Sequence, residues 1–289
     1  MLIPPEQIAQ FLIGGAVVGI STPLIFKNFH FLKNEDKSNY VKILKCIMCF
    51  SMSLKTILLV SLNSTDPTIE CYRVGKAGDS FYHIAVLAGN AVLFNRTQAI
   101  IPRSIAKHTK WLHLILALAR FLSGVLDVIY VNIHRDATGI CDYEDNVTIG
   151  LIYTLIDTFI DIYVTITICF ILIRHMNKLN KEGIITANVQ RYVAIVVYNG
   201  ARTFILTIGN LLSAVAIGSK LSNEFVIPVL YILWPLTNFF FVALIGYDAD
   251  LTVVLRDMGV IIKDQMDNVG DGSFLPTLVN SRSIFWYSA

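Results

Sequence analysis

The chain has 289 residues, of which 55% are hydrophobic and only 15% charged, and its mean hydropathy is +0.62. A soluble domain is nearer one-quarter charged, so this chain has too little polar surface to cover itself in water and reads as an integral membrane protein with no second large domain. The net charge of +2 gives no reason to expect nucleic acid as a partner.

Residues 1–7 carry Pro4 and Pro5 and no basic side chain, so no cleaved signal peptide is expected. Apolar runs then predict spans at 8–26, 43–62, 80–95, 111–132, 149–173, 192–217 and 225–246. A helix needs roughly 20 apolar residues to cross the hydrocarbon layer. The third run is short. It reaches full length only if its polar start, from Cys71, is covered by a loop. Gly14, Gly15 and Gly19 in the first span suit close helix packing. After the last span, Leu251, Val254, Leu255, Met258, Ile261 and Ile262 fall on one face of a helix expected at 251–266, lying on the inner leaflet.

Lys and Arg set the orientation. Lys27, Lys33, Lys37, Lys42, Lys45, Arg96, Arg103, Lys107, Lys110, Arg174, Lys178, Lys181, Arg191, Arg256, Lys263 and Arg282 fall on one side. Only Arg73, Lys76, Arg135 and Lys220 fall on the other. The expectation is an all-α, seven-helix membrane bundle with the N-terminus outside and the tail in the cytosol. Two sequons, at Asn63 and Asn146, then lie in outer loops, and the third, Asn95-Arg96-Thr97, faces the cytosol. Cys71 and Cys141 are the two cysteines outside the spans, both on the oxidising side. They are either a disulfide or two unrelated thiols, and compartment and pairing favour the bridge.

Inside the spans, Lys55, Arg120 and Arg202 balance Asp127, Asp157 and Asp161. Charges in hydrocarbon are costly, so these are expected to face one another in the bundle. On span 5, Thr154, Asp157, Thr158, Asp161 and Thr165 form one stripe, with Leu155, Phe159, Ile162 and Ile166 opposite. The stripe is predicted to meet Arg202 and either Arg120 or Lys55. It serves either as a packing network or as a polar ligand or ion path.

Cys71 heads the third span, Arg96 ends it twenty-five positions later, Ile100 and Pro102 follow, and Cys141 lies in the next outer loop. In these features the chain resembles the rhodopsin-like G-protein-coupled receptors. The resemblance implies a Cys71–Cys141 bridge and a resting-state role for Arg96, which contacts a heterotrimeric G protein once released. Asn95 stands in place of that family's acidic residue and Thr97 in place of its Tyr. Span 2 has no Asp, span 1 no Asn and span 6 no Pro, and span 7 has Trp234-Pro235 and Asn238 rather than Asn-Pro-x-x-Tyr.

No histidine pair has zinc spacing within the spans, no Lys sits in span 7 for a Schiff base, and no nucleophile or phosphate-loop motif is present. No cofactor, metal or enzymatic activity is therefore expected. The sequence points to a multi-pass receptor, a glycoprotein of a eukaryotic plasma membrane surrounded by lipid. A small-molecule or peptide ligand is expected to meet Lys55, His83, Asp127, Tyr153 and Asp157. Arg96, Arg103, Lys107, Arg174 and Lys178 are expected to form the G-protein surface. The alternatives are a small transporter or channel using Asp157, Asp161, Arg120 and Arg202, and a seven-helix scaffold without a ligand.

Overall fold

In the computed structural model, residues 5–30, 39–62, 68–135, 139–144, 146–181, 187–218 and 223–246 are described. Their apolar runs fold as long helices joined by short polar segments. These are α1 (Pro5–His30), α2 (Asn39–Ser61), α3 (Cys71–Ile100), α4 (Arg103–Tyr130), α5 (Val147–Lys181), α6 (Ala187–Gly218) and α7 (Asn223–Gly246). Five of them, α1, α2, α4, α5 and α6, are long and apolar enough to cross a membrane, and α7 holds a shorter apolar stretch, Ile232–Gly246. The tail helix expected at 251–266 and the Asn63 sequon lie outside the described residues.

The surface is apolar where a soluble protein would be polar. On α4, Leu114, Ile115, Leu118, Phe121, Leu122 and Ile129 are exposed, while Arg120, Ser123 and Asp127 of the same helix are buried. Burying charge and exposing leucine is favourable only when the surrounding medium is hydrocarbon. The protein is therefore membrane-embedded.

The helices are longer than the apolar runs that predicted them. The largest difference is α3, expected from 80 and observed from Cys71. Its polar first turns are covered by a feature absent from the sequence-based expectation, an antiparallel hairpin of β1 (Asn132–Arg135) and β2 (Cys141–Glu144). Ile133 of β1 lies against Gly75, at a place where any Cβ would collide with it. Cys71 and Cys141 are joined in a disulfide, and Cys141 N–H donates to the Leu62 carbonyl (3.2 Å). Arg135 closes the hairpin by donating to the carbonyls of Gly139 (2.5 Å) and Ile69 (2.7 Å). Gly139 takes a positive φ of 87°, open to a residue without a Cβ.

At the other end, Pro102 separates α3 from α4 and caps the latter, since proline cannot donate to the α3 ladder. Asn146 caps α5: its Oδ1 accepts the Ile149 N–H (3.2 Å).

The disulfide spans 70 positions, for which loop entropy alone gives about 4 kcal/mol, but the inserted helices already restrain both ends. The expected loss for Cys71→Ser or Cys141→Ser is therefore nearer 2 kcal/mol, and the double variant should be no worse than either single. Thermal unfolding of the three variants checks this.

Gly89 of α3 lies between Met48 of α2 and Phe241 of α7. A Cβ there would strike the Phe241 ring and come within 3.3 Å of Met48 Sδ. Phe241 and Met48 are themselves buried, so neither has room to yield. Gly89→Ala should destabilise the bundle by about 1–3 kcal/mol, and Gly89→Leu should prevent recovery of folded monomer. Both are read by size-exclusion profile and unfolding midpoint.

Candidate functional site

Polar side chains form a column along the bundle axis, starting at the end that carries the disulfide. There a cavity of about 210 Å³ is lined by Lys55 of α2, Asp79 and Tyr82 of α3, Tyr143 of β2, Tyr153 of α5 and Trp234 of α7. Tyr143 donates to Asp79 Oδ1 (3.2 Å) and stacks edge-on against Trp234, so the hairpin forms part of the wall. Lys55 Nζ lies 5.4 Å from the centre of the Tyr82 ring.

Behind this wall sits His83, one turn after Asp79. Its Nε2 is 3.0 Å from Asp127 Oδ2 and 3.5 Å from Asp79 Oδ1. Its Nδ1 is 3.0 Å from Arg120 Nη1. A guanidinium can only donate, so Nδ1 must accept and the ring proton sits on Nε2, donated to Asp127. Arg120 continues the chain: its Nε donates to Asp157 Oδ1 (2.7 Å), and Asn90 Nδ2 donates to the same oxygen (3.2 Å). Asp127, His83, Arg120, Asp157 and Asn90 are thus one hydrogen-bonded run across α3, α4 and α5. Asp79, His83 and Asp127 place three ligand atoms within 4.8 Å of one another, a spacing that could hold a metal ion. The hydrogen bonding opposes it. A metal on Nε2 requires a proton on Nδ1, which faces a donor in Arg120.

Below lies a second cavity of about 30 Å³, room for a water-sized guest, lined by Asn90, Asp157, Asp161, Asn210 and Asn238. It shares Tyr82, Asn210, Thr237 and Asn238 with the larger one. The α5 stripe faces this interior: Thr154, Asp161 and Thr165 are buried, and Leu155, Phe159 and Ile166 are exposed. Of the two alternatives offered to the stripe, Arg120 or Lys55, the fold selects Arg120, which pairs with Asp157. Asp161 pairs with Arg202, but only at 4.0 Å. Arg202 Nη2 also donates to Thr165 Oγ1 (3.3 Å), and that hydroxyl contacts Thr203 Oγ1. Asp161 Oδ1 and Arg202 Nε and Nη1 have no hydrogen-bond partner among the described residues.

The column ends at the last turn of α7. The carbonyls of Leu244, Ile245 and Gly246, the last described residues of α7, turn toward its neighbours. Here three other helices supply donors. Tyr198 of α6 donates to the Leu244 carbonyl (2.6 Å), Arg96 of α3 to that of Ile245 (3.0 Å), and Lys45 of α2 to that of Gly246 (3.3 Å). Arg96 is 0% exposed and Lys45 3%, so both cations are committed to this contact.

Of the five residues expected to meet a ligand, Lys55 and Tyr153 line the larger cavity and Asp157 lines the smaller. His83 and Asp127 are engaged behind the wall, because their hydrogen bonds point to each other and to Arg120. Of the five assigned to the opposite surface, Lys107 and Arg174 are exposed and Arg96 is buried, while Arg103 opens α4 and Lys178 lies near the end of α5. Sequence reasoning missed Asp79, Lys45 and Tyr198. Asp79 had a signal, its i, i+4 spacing from His83. Lys45 read as an ordinary loop cation. No protein-family model matches this chain, and no curated protein matches it.

Proposed function

We propose that this chain is a seven-span receptor of the G-protein-coupled type, with the disulfide end outside and the last turn of α7 facing the cytosol, in the plasma membrane of a eukaryotic cell. One observation carries the reading. Along α3, a cavity sized for a small molecule begins at the disulfide end, and a buried arginine at the opposite end clamps the terminal carbonyls of α7. Seating a ligand against Tyr82, Tyr153 and Trp234 changes how α7 packs on α3 and α6. That change favours the arrangement in which Arg96 leaves the Ile245 carbonyl and turns to a G protein, a population shift driven by tighter binding to the open form. Lys107, in the first turns of α4, and Arg174, toward the end of α5, are exposed cations that can serve the same partner. The spacing of Cys71 and Arg96 and the resemblance it carries support the same assignment.

The test is nucleotide exchange on a panel of purified G proteins, with the full chain in lipid nanodiscs. Exchange that survives Arg96→Ala unchanged sinks this mechanism. A second reading, a small transporter, is favoured by the two cavities that share walls down to Asp161. It requires that liposomes carrying only this chain show flux and that Asp161→Asn abolish it.

A further inference from the structure

We infer that the larger cavity takes a small organic carboxylate, anchored on the Lys55 ammonium; this rests on the receptor reading and names the class of its ligand. Lys55 is 8% exposed and lines the cavity. Among the described residues it has no acceptor at hydrogen-bond or ion-pair distance. Its company is the Tyr82 ring and the more distant charge of Asp79. The buried carboxylates nearby are already served. Asp79 accepts from Tyr143 (3.2 Å), Asp127 accepts from His83 (3.0 Å), and Asp157 accepts from Arg120 (2.7 Å), while Asp142 on the hairpin is exposed. A buried ammonium without an acceptor is the strongest unmet demand facing this space, and a carboxylate meets it with a charge-assisted hydrogen bond.

Bulk charge argues the other way. With His83 neutral, Asp79, Asp127, Asp157, Asp161 and the exposed Asp142 outnumber Lys55, Arg120 and Arg202 by two. Distance decides between the two. Coulomb energy falls as the inverse of separation, so a contact at about 3 Å still outweighs two surplus charges each roughly three times as far away, before screening. The rest of the wall sets the body of the guest. Tyr82, Tyr153 and Trp234 offer flat, mostly apolar faces, and Asn210, Thr237 and Asn238, shared with the smaller cavity, offer polar contacts. The acid can be a compact aromatic one from solution or a fatty acid from the bilayer, and the probes separate the two.

The experiment uses the purified full chain in phosphatidylcholine nanodiscs, with no partner protein. Thermal unfolding is followed with phenylacetate, decanoate and benzylamine at matched concentrations. Binding to the folded state raises the midpoint by mass action, and a rise of roughly 3 °C with one or both acids is expected, with none for benzylamine. Phenylacetate responding alone indicates a compact soluble ligand, and decanoate alone a lipid-derived one. Lys55→Met should weaken acid binding roughly tenfold or more, and Lys55→Arg should retain it. Among the described residues Lys55 makes no hydrogen bond or ion pair that the substitution would break, so unliganded Lys55→Met should fold and unfold within a few degrees of the parent. The inference is overturned if neither acid shifts the parent, if benzylamine shifts it equally, or if the acid response persists in Lys55→Met. Acid binding without exchange on any G protein would instead remove the receptor reading and leave the carboxylate site standing.

Discussion

Arg120→Met is expected to lower the stability of the bundle by about 3–5 kcal/mol, the usual consequence of taking one partner from a buried pair. Arg120 is 1% exposed, donates to Asp157 at 2.7 Å, and fixes the His83 tautomer from 3.0 Å. Its loss leaves Asp157 with Asn90 as its hydrogen-bond donor, in a medium where water cannot replace the guanidinium. The unfolding midpoint in nanodiscs should drop by roughly 10 °C, if folded protein is recovered at all. Adding Asp157→Asn removes the stranded charge and should restore most of the loss, giving a large coupling energy in the cycle. A single variant as stable as the parent would show that the pair contributes nothing to holding α4 on α5. Arg202→Met should cost less, because its contact with Asp161 is 4.0 Å long.

The clamp on α7 predicts the largest functional effect. Arg96→Ala should abolish nucleotide exchange, because the receptor reading assigns that side chain to the G protein. Lys45→Met and Tyr198→Phe remove the other two donors to the same helix end and leave Arg96 in place. Each should raise ligand-independent exchange. A hydrogen bond from a charged donor contributes about 1.5–3 kcal/mol, so Lys45→Met should shift the resting equilibrium roughly tenfold or more. Tyr198→Phe, losing a neutral donor worth about 1 kcal/mol, should shift it about fivefold. The opposite signs separate a mechanism from simple damage: a clamp that only stabilises the fold would make all three variants lose exchange together.

Asp79 shows where the reading of the chain stopped. By hydropathy the third span begins one residue after it, which places its carboxylate in a polar loop, outside the charge balance of the spans. The hairpin of β1 and β2 buries it, by laying Ile133 and Tyr143 over the first turns of α3. Lys45 is the same kind of case at the opposite end. As a cation near the edge of a predicted span it counts toward orientation, but its buried position follows from the approach of the α7 Gly246 carbonyl.

The sequence by itself determined the membrane class, the approximate helices, the inward face of α5 and the cysteines available for a bridge. These follow from local quantities: mean hydropathy over a window, a period of three to four residues, and the side of the membrane a loop occupies. Tertiary structure alone decided that Asp157 meets Arg120 rather than Lys55. It also decided that Lys55 faces an open cavity without an acceptor, and that Arg96 clamps α7. The reason is physical. A charge buried in hydrocarbon must find a partner, but every interior charge of opposite sign satisfies that demand equally on paper. Only the packing of helices distant in sequence brings one of them within 3 Å and leaves another facing empty space.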